Sequence, residues 1–219
     1  MSAGVAVRPL DGVPAVEVVA APELGPADAA RIEAERRRLD AHPDMFDGPI
    51  LMVRAASPER LTVYTAAYAW HTADRARPLP ATAGALGVQL AVVGDGGAIL
   101  WQRRTDTVDH PGGWTISVAG SAVPGVGLER QVVDEASEEL GLCRADLDGL
   151  APLALVESQR GRTVQVVFRA RLRPGATPAL RESEVAEVRL ARDLPELGAV
   201  ETLTASWWEE LVRLATEDE

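Results

Sequence analysis

No lysine and no asparagine occur among these 219 residues, and cysteine occurs once, as Cys143. Lysine and asparagine both have A-rich codons, so their joint absence reads as a base-composition effect and carries no chemistry. A single cysteine excludes an internal disulfide and a zinc site built from several thiolates. No apolar run reaches the roughly 18 residues of a membrane-spanning helix. The first residues, Met1 to Val5, lack the basic flank and apolar stretch of a secretory signal. Positive charge is in deficit: 22 basic residues against 33 acidic ones give a net charge of −11. A chain that acidic repels phosphate backbones at long range, which argues against general nucleic-acid binding. The expectation is a soluble cytoplasmic protein with no nucleic-acid and no membrane partner.

What is present is globular in composition, with 47% apolar and 25% charged residues. At this length a core can form without disulfides. The text divides near Arg77-Pro78-Leu79-Pro80, into an N-terminal α+β extension over 1–80 and a larger part over 81–219. In the first, Ala15–Ala20 reads as a strand. Pro26–Asp40 reads as a helix, with Pro26 suited to its first turn and Glu33 four residues before Arg37. The run Arg36 to Arg38 is either an anion patch or, as the nearby acids favour, a solvated helix face. Pro49–Arg54 and Leu61–Tyr64 read as strands joined at Ser57-Pro58, and Tyr64–Arg75 as a short helix.

The larger part is strand-rich. Leu86–Val93 reads as a buried strand that turns at Asp95-Gly96-Gly97 and pairs back through Ala98–Arg103. Trp114–Ala119 is a further strand. A Gly- and Pro-rich turn, 120–127, leads into a helix over Leu128–Leu140 with Gly141 as its C-cap. Leu153–Glu157, Val164–Leu172 and Val185–Leu190 read as strands. Thr202–Ala215 is amphipathic, with Leu203, Trp207 and Leu211 on one face.

The chemistry-bearing segment is 120–142. On a helix Glu135, Glu138 and Glu139 fall at i, i+3 and i+4 and share a face, with Asp134 beside it. Carboxylates about 6 Å apart at an effective dielectric near 20 repel by roughly 2–3 kcal/mol per pair. Either solvent and counter-charges such as Arg130 and Arg144 offset that, or a hard divalent cation does, held by oxygen ligands.

The segment resembles the Nudix box: a glycine, five residues, Glu, seven residues, then Arg-Glu-apolar-x-Glu-Glu-x-Gly-apolar. Gly120, Glu135, Glu138, Glu139, Gly141 and Leu142 match at the right spacing, and Ala136 matches weakly. The box is degenerate, with Val126 where the family has Glu and Asp134 where it has Arg. The resemblance covers about residues 84–195. It implies an α/β (α+β) fold, the Nudix α/β/α sandwich, here with its N-terminal α+β extension. It implies cleavage of a nucleoside diphosphate linked to another group, with Mg²⁺ (or Mn²⁺) as cofactor. Glu138 and Glu139 take the place of metal ligands, and Glu135 that of a ligand or the base. The family's arginine pairs with and orients these glutamates; Asp134 puts that role in question.

The resemblance also implies a further acid from the loop before the last strand, where Glu182 and Glu184 are candidates. Arg103 and Arg104 end a strand that enters the site, so one of the two faces the diphosphate. Trp114 is a core residue or a surface for a base to stack on. The strand 114–120 resembles that of isopentenyl-diphosphate isomerases, but their catalytic Cys and metal-binding His are here Ala119 and Ser121, which excludes that activity. Cys143, beyond the helix, is expected to be a buried small residue. The extension, through Pro43–Pro49 and Leu61–Tyr64, loosely resembles UDP-glucose/galactose pyrophosphatases, which puts a UDP-sugar among the substrates. The partner is then a small-molecule nucleoside diphosphate derivative, and a homodimer is open. The alternative, motivated by Val126 and Asp134, is a non-catalytic Nudix-fold ligand-binding or regulatory module.

Overall fold

The computed structural model describes residues 4–42, 47–105, 112–180, 185–192 and 208–217. In the extension they form β1 (Val5–Pro9), β2 (Ala15–Val18), α1 (Pro26–Asp40), β3 (Pro49–Ala56), β4 (Arg60–Ala67) and α2 (Tyr68–Ala76). Then follow β5 (Gly84–Val93), β6 (Ile99–Arg104), β7 (Trp114–Ile116), β8 (Val118–Ser121) and α3 (Leu128–Leu140). The chain goes on through β9 (Leu147–Ser158), β10 (Thr163–Leu172), β11 (Val185–Ala191) and α4 (Trp208–Thr216). Of the residues expected in the last helix, 202–207 lie outside the described ones. No described helix is long and apolar enough to cross a membrane.

The strands join in one sheet, whose main path runs β1-β9-β10-β5-β3-β4-β2, with β8 on β5 and β6 linking β11 and β7. The boundary at residue 80 therefore does not separate two hydrogen-bonded units: β1 pairs with β9, and β3 with β5. The Leu51 N–H also donates to the Ala122 carbonyl at 2.8 Å, so β3 borders the glycine turn.

β5 is buried along nearly its whole length, as a strand covered on both faces must be. Leu86, Val88, Leu90 and Val92 enter the core shared with Leu128, Val132, Ala136 and Leu140 of α3. Ala91 and Val93 point to the other face, into the core shared with Leu211 and Ala215 of α4. On β3 and β4 the same alternation puts Leu51, Val53, Leu61 and Val63 in the core of α3. Ile50, Met52, Tyr64 and Ala66 lie on the opposite face, against Tyr68 and Trp70 of α2. The result is helix on sheet on helix, with α3 on one face and α2 and α4 on the other.

The turn at 95–97 does pair β5 back onto β6, over a short stretch: Val93 meets Ile99 and the Gly94 N–H donates to the Ala98 carbonyl at 2.7 Å. Two local expectations are corrected. The strand over 114–119 is two, because Ser117 takes φ 31° and breaks it. Its buried Oγ donates to the Leu100 carbonyl and accepts from the Val92 N–H, filling the gap in both ladders. The helix after β4 starts at Tyr68, and Tyr64 to Ala67 continue the strand. The run Arg36 to Arg38 pairs with Glu33, Glu35 and Asp47, which is the solvated, ion-paired face.

The extension is fastened to the β9–β10 turn by an ion pair whose acid is fully buried and whose arginine is part-buried. Arg162 donates to both carboxylate oxygens of Asp74, at 2.9 and 3.1 Å, and to the Thr82 carbonyl at 2.8 Å. Asp74 is fully buried and also accepts the Leu79 N–H at 2.7 Å. Tyr64 is buried nearby, and that burial, chiefly, raises its phenol above the usual tyrosine range.

Candidate active site

The helix α3 forms where its apolar residues recur. Leu128, Val132, Ala136 and Leu140 repeat every fourth position and are all buried, giving a stripe that packs on β5 and β8. Truncating Leu140 to Ala would cost about 2–5 kcal/mol. Gly141 ends the helix at φ 66°, a left-handed conformation open to glycine without penalty. This packing fixes which acids face where. Glu139 is turned inward and 7% exposed, Glu135 is half-buried and Glu138 is exposed.

Gly120, on β8, faces Glu135. A Cβ built on Gly120 would overlap the Glu135 carboxylate, so a side chain here would have to displace that carboxylate. The turn that follows is held to α3 by Gln131, which is 4% exposed. Its Oε1 accepts the Val123 N–H at 3.0 Å and its Nε2 donates to the Ser121 carbonyl. Glu139 is met from the sheet by Gln102 of β6, whose Nε2 donates to Glu139 Oε2 at 2.9 Å. Gln102 is 1% exposed, and its Oε1 is buried with no hydrogen-bond partner among the described residues.

Asp134 points away from these acids. Both of its oxygens accept from Arg130 Nε at 2.8 Å, on the exposed side of the helix. Arg144, the other suggested counter-charge, instead donates to the Leu147 carbonyl. Among the described residues no three His, Cys, Asp or Glu side chains are gathered closely enough to cage a metal ion.

The strand parity of β6 separates the two arginines. Leu100 lies in the core of α3, and Ile99 and Trp101 in that of α4. Arg104 therefore shares the face of Gln102 and Glu139, and Arg103 takes the opposite face. There Arg103 pairs with Glu187 at 3.2 Å, and Glu187 also accepts from Arg189. Trp114 is 5% exposed and carries the Arg189 guanidinium 5.7 Å from its ring centroid. Its ring is packed in the core and offers no face for a base. Glu182 and Glu184 lie outside the described residues; β11 starts just after them, with Val185 paired to Arg104.

No protein-family model matches the sequence, and no curated protein matches it. Solved structures do match. DR0079 from Deinococcus radiodurans has 21% identity and a TM-score of 0.55, over 77% of this chain and 99% of that one. The Nudix domain of Shewanella oneidensis NrtR, in complex with ADP ribose, has 17% identity and a TM-score of 0.48, over 61% and 87%. The Nudix hydrolase RenU from M. smegmatis has 23% and 0.45, over 58% and 82%. The fold is the Nudix fold.

α3 is the helix whose sequence resembles the Nudix box, and the two residues that depart from that pattern lie away from the core. Val126 is 36% exposed in the glycine turn, and Asp134 is held by Arg130. Cys143 corrects an expectation: it is exposed. It caps a short turn, with its N–H donating to Asp146 Oδ2 at 2.8 Å. The Cys143 thiol and N–H together hold the Asp146 carboxyl below its usual range. Gln102 and Gln131 escaped the sequence reading. The signal for Gln102 was a lone amide following the apolar run Ile99-Leu100-Trp101; for Gln131, an amide one turn before Glu135 on the same helix.

Proposed function

We propose that this chain is a divalent-metal-dependent Nudix hydrolase that cleaves the diphosphate of a nucleoside diphosphate linked to another group, releasing a nucleoside monophosphate. The observation that carries this reading is the seating of Glu135 against Gly120, with Glu139 buried one turn on. An acid pushed into a sheet beside a space-making glycine is not a solvated helix face. Carboxylate oxygens of Glu135, Glu138 and Glu139 are the hard donors that Mg²⁺ or Mn²⁺ takes, and a bound ion would have to draw them together, since they are not gathered into a cage without it. Glu135, Glu138 and Glu139 would hold the ion, which supplies charge neutralisation on the diphosphate and a more acidic water. Glu135, half-buried, would serve as a third ligand or as the base that accepts a proton from water. Arg104, on the same face, would meet diphosphate oxygens, and Glu182 or Glu184 would supply a further acid. A UDP-sugar is the substrate favoured by the layout of the extension.

The test is release of phosphate-labelled products from a panel of nucleotide sugars, dinucleotides and nucleoside triphosphates, with and without Mg²⁺ or Mn²⁺. Metal-dependent cleavage of a diphosphate is expected. Glu135→Gln should lower kcat by on the order of 100-fold while leaving the fold intact. Cleavage that is independent of metal, or wild-type turnover in that variant, would refute the assignment.

One observation favours the second reading, a binding module: Asp134 is spent on Arg130, so the box position that holds an arginine in the family orients nothing here. The pair Val126→Glu and Asp134→Arg separates the two readings. An active enzyme should lose turnover, because the new arginine competes with metal for Glu138. A rise from a near-zero wild-type rate would instead mark a module that has lost catalysis.

A further inference from the structure

Gln102 stands in the most apolar part of β6. Ile99, Leu100 and Trp101 before it are 0%, 2% and 1% exposed, and Gln102 itself is 1% exposed. The amide donates once, to Glu139 Oε2, and leaves its carbonyl oxygen buried without a described partner. An unsatisfied buried acceptor destabilises a fold. An apolar side chain would avoid that orphaned oxygen but would take the donor away from the buried Glu139 carboxylate. The bond to Glu139 is what the glutamine supplies.

We propose that Gln102 is a positioning residue that aims the Glu139 carboxylate. The proposal rests on the hydrolase reading above for its consequence, but not for its geometry. Glu139 sits near the end of a helix, where its side chain has several rotamers to choose from. A donor 2.9 Å away on a rigid strand selects one of them. The donor's neutrality matters as much as its place. An arginine there would bring a charge opposing that of Glu139, whereas an amide holds the carboxylate without adding one. Asp134, turned to Arg130, takes no part in this. Partners that orient metal-binding groups typically contribute 10–100-fold, about, in affinity or rate.

Two variants test this. Gln102→Met keeps the volume and removes the orphaned acceptor along with the donor, so its loss of stability should not exceed that of one hydrogen bond and the variant should stay folded. Gln102→Glu keeps the shape and replaces the donor with a second carboxylate. Three measurements are made on each: the Glu139 rotamer in metal-free crystals, Mn²⁺ affinity by electron paramagnetic resonance, and steady-state kinetics on the best substrate of the panel. The Glu139 carboxylate should leave its wild-type position in both. The Mn²⁺ dissociation constant should rise by about tenfold or more. The value of kcat should fall by a similar factor with KM within about twofold, the mark of an effect on the reaction rather than on binding. An unmoved Glu139 in either folded variant, with Mn²⁺ affinity and kcat unchanged, overturns the proposal. If the wild type neither binds Mn²⁺ nor cleaves any substrate, the hydrolase reading fails by itself. The rotamer then decides alone: a displaced Glu139 upholds the positioning role, and an unmoved one overturns it.

Discussion

Among the described residues two carboxylates are buried, each on a helix packed against the sheet, and they are treated differently. Asp74, at the seam between the extension and β10, is saturated: it receives two bonds from Arg162 and one from the Leu79 N–H. Glu139, on the box helix, receives a neutral amide, and that amide leaves an oxygen unmet. Burial alone does not mark an acid as functional. What differs is the side chain that meets each one: a guanidinium closes on both oxygens of Asp74, and an amide with an orphaned oxygen of its own meets Glu139. The first pairing is complete in itself and serves the fold; the second is not.

That contrast is sharpened first at the seam, where the largest effect is expected. Asp74→Ala leaves the part-buried Arg162 guanidinium and the Leu79 N–H without their acceptor and should destabilise the protein by up to about 3–5 kcal/mol. Replacing both, as Asp74→Leu with Arg162→Met, should recover much of the loss. Urea unfolding measures each. A single variant as stable as the double one would mean that Asp74 is not saturated in the sense argued here.

A smaller loss of stability, but a clear loss of rate, is expected at Gly120. The Cβ of Gly120→Ala overlaps the Glu135 carboxylate and displaces it. Misplacing a reacting group by about 1 Å can lower the rate on the order of 100-fold. Turnover should fall towards that limit while circular dichroism stays native. Unchanged turnover would detach Glu135 from the chemistry.

The smallest effect is expected outside the site. Asp134→Ala removes an exposed helix pair with Arg130, and such pairs contribute little. The melting temperature should move by no more than about one degree. A drop of several degrees would show that the outer face of α3 bears more of the structure than its exposure suggests.

Much of the frame was legible because it is local. Pro26 and Asp40 bound α1, and Leu128 and Gly141 frame α3, through first-turn proline, four-residue apolar spacing and a C-cap glycine. The acids of the site were legible for the same reason: Glu135, Glu138 and Glu139 carry their spacing in the sequence. What escaped depends on partners distant in the chain. β1 exists because Val5 to Pro9 find β9 some 150 residues later. The break at Ser117 exists because its hydroxyl bonds with Leu100 and Val92 on other strands. Which of Arg103 and Arg104 faces α3 required knowing which face of β6 is covered. Trp114 could not be assigned until Arg189 was seen on its ring. Gln102 belongs to the same class, since its meaning lies wholly in a residue 37 positions away.

The hydrogen bond from the Leu51 N–H to the Ala122 carbonyl has a consequence for kinetics of opening. Ala122 is the first residue after β8, inside the turn that leads to the box helix, and Leu51 lies in a strand of the extension. The Leu51 amide proton can exchange with solvent only when that turn and β3 part. Its exchange rate is therefore a gauge of how often the turn comes loose, readable from a residue that touches neither the acids nor any substrate. A ligand that stiffens the turn slows the exchange of Leu51, and the extension reports on the site as a bystander attached to it by one bond.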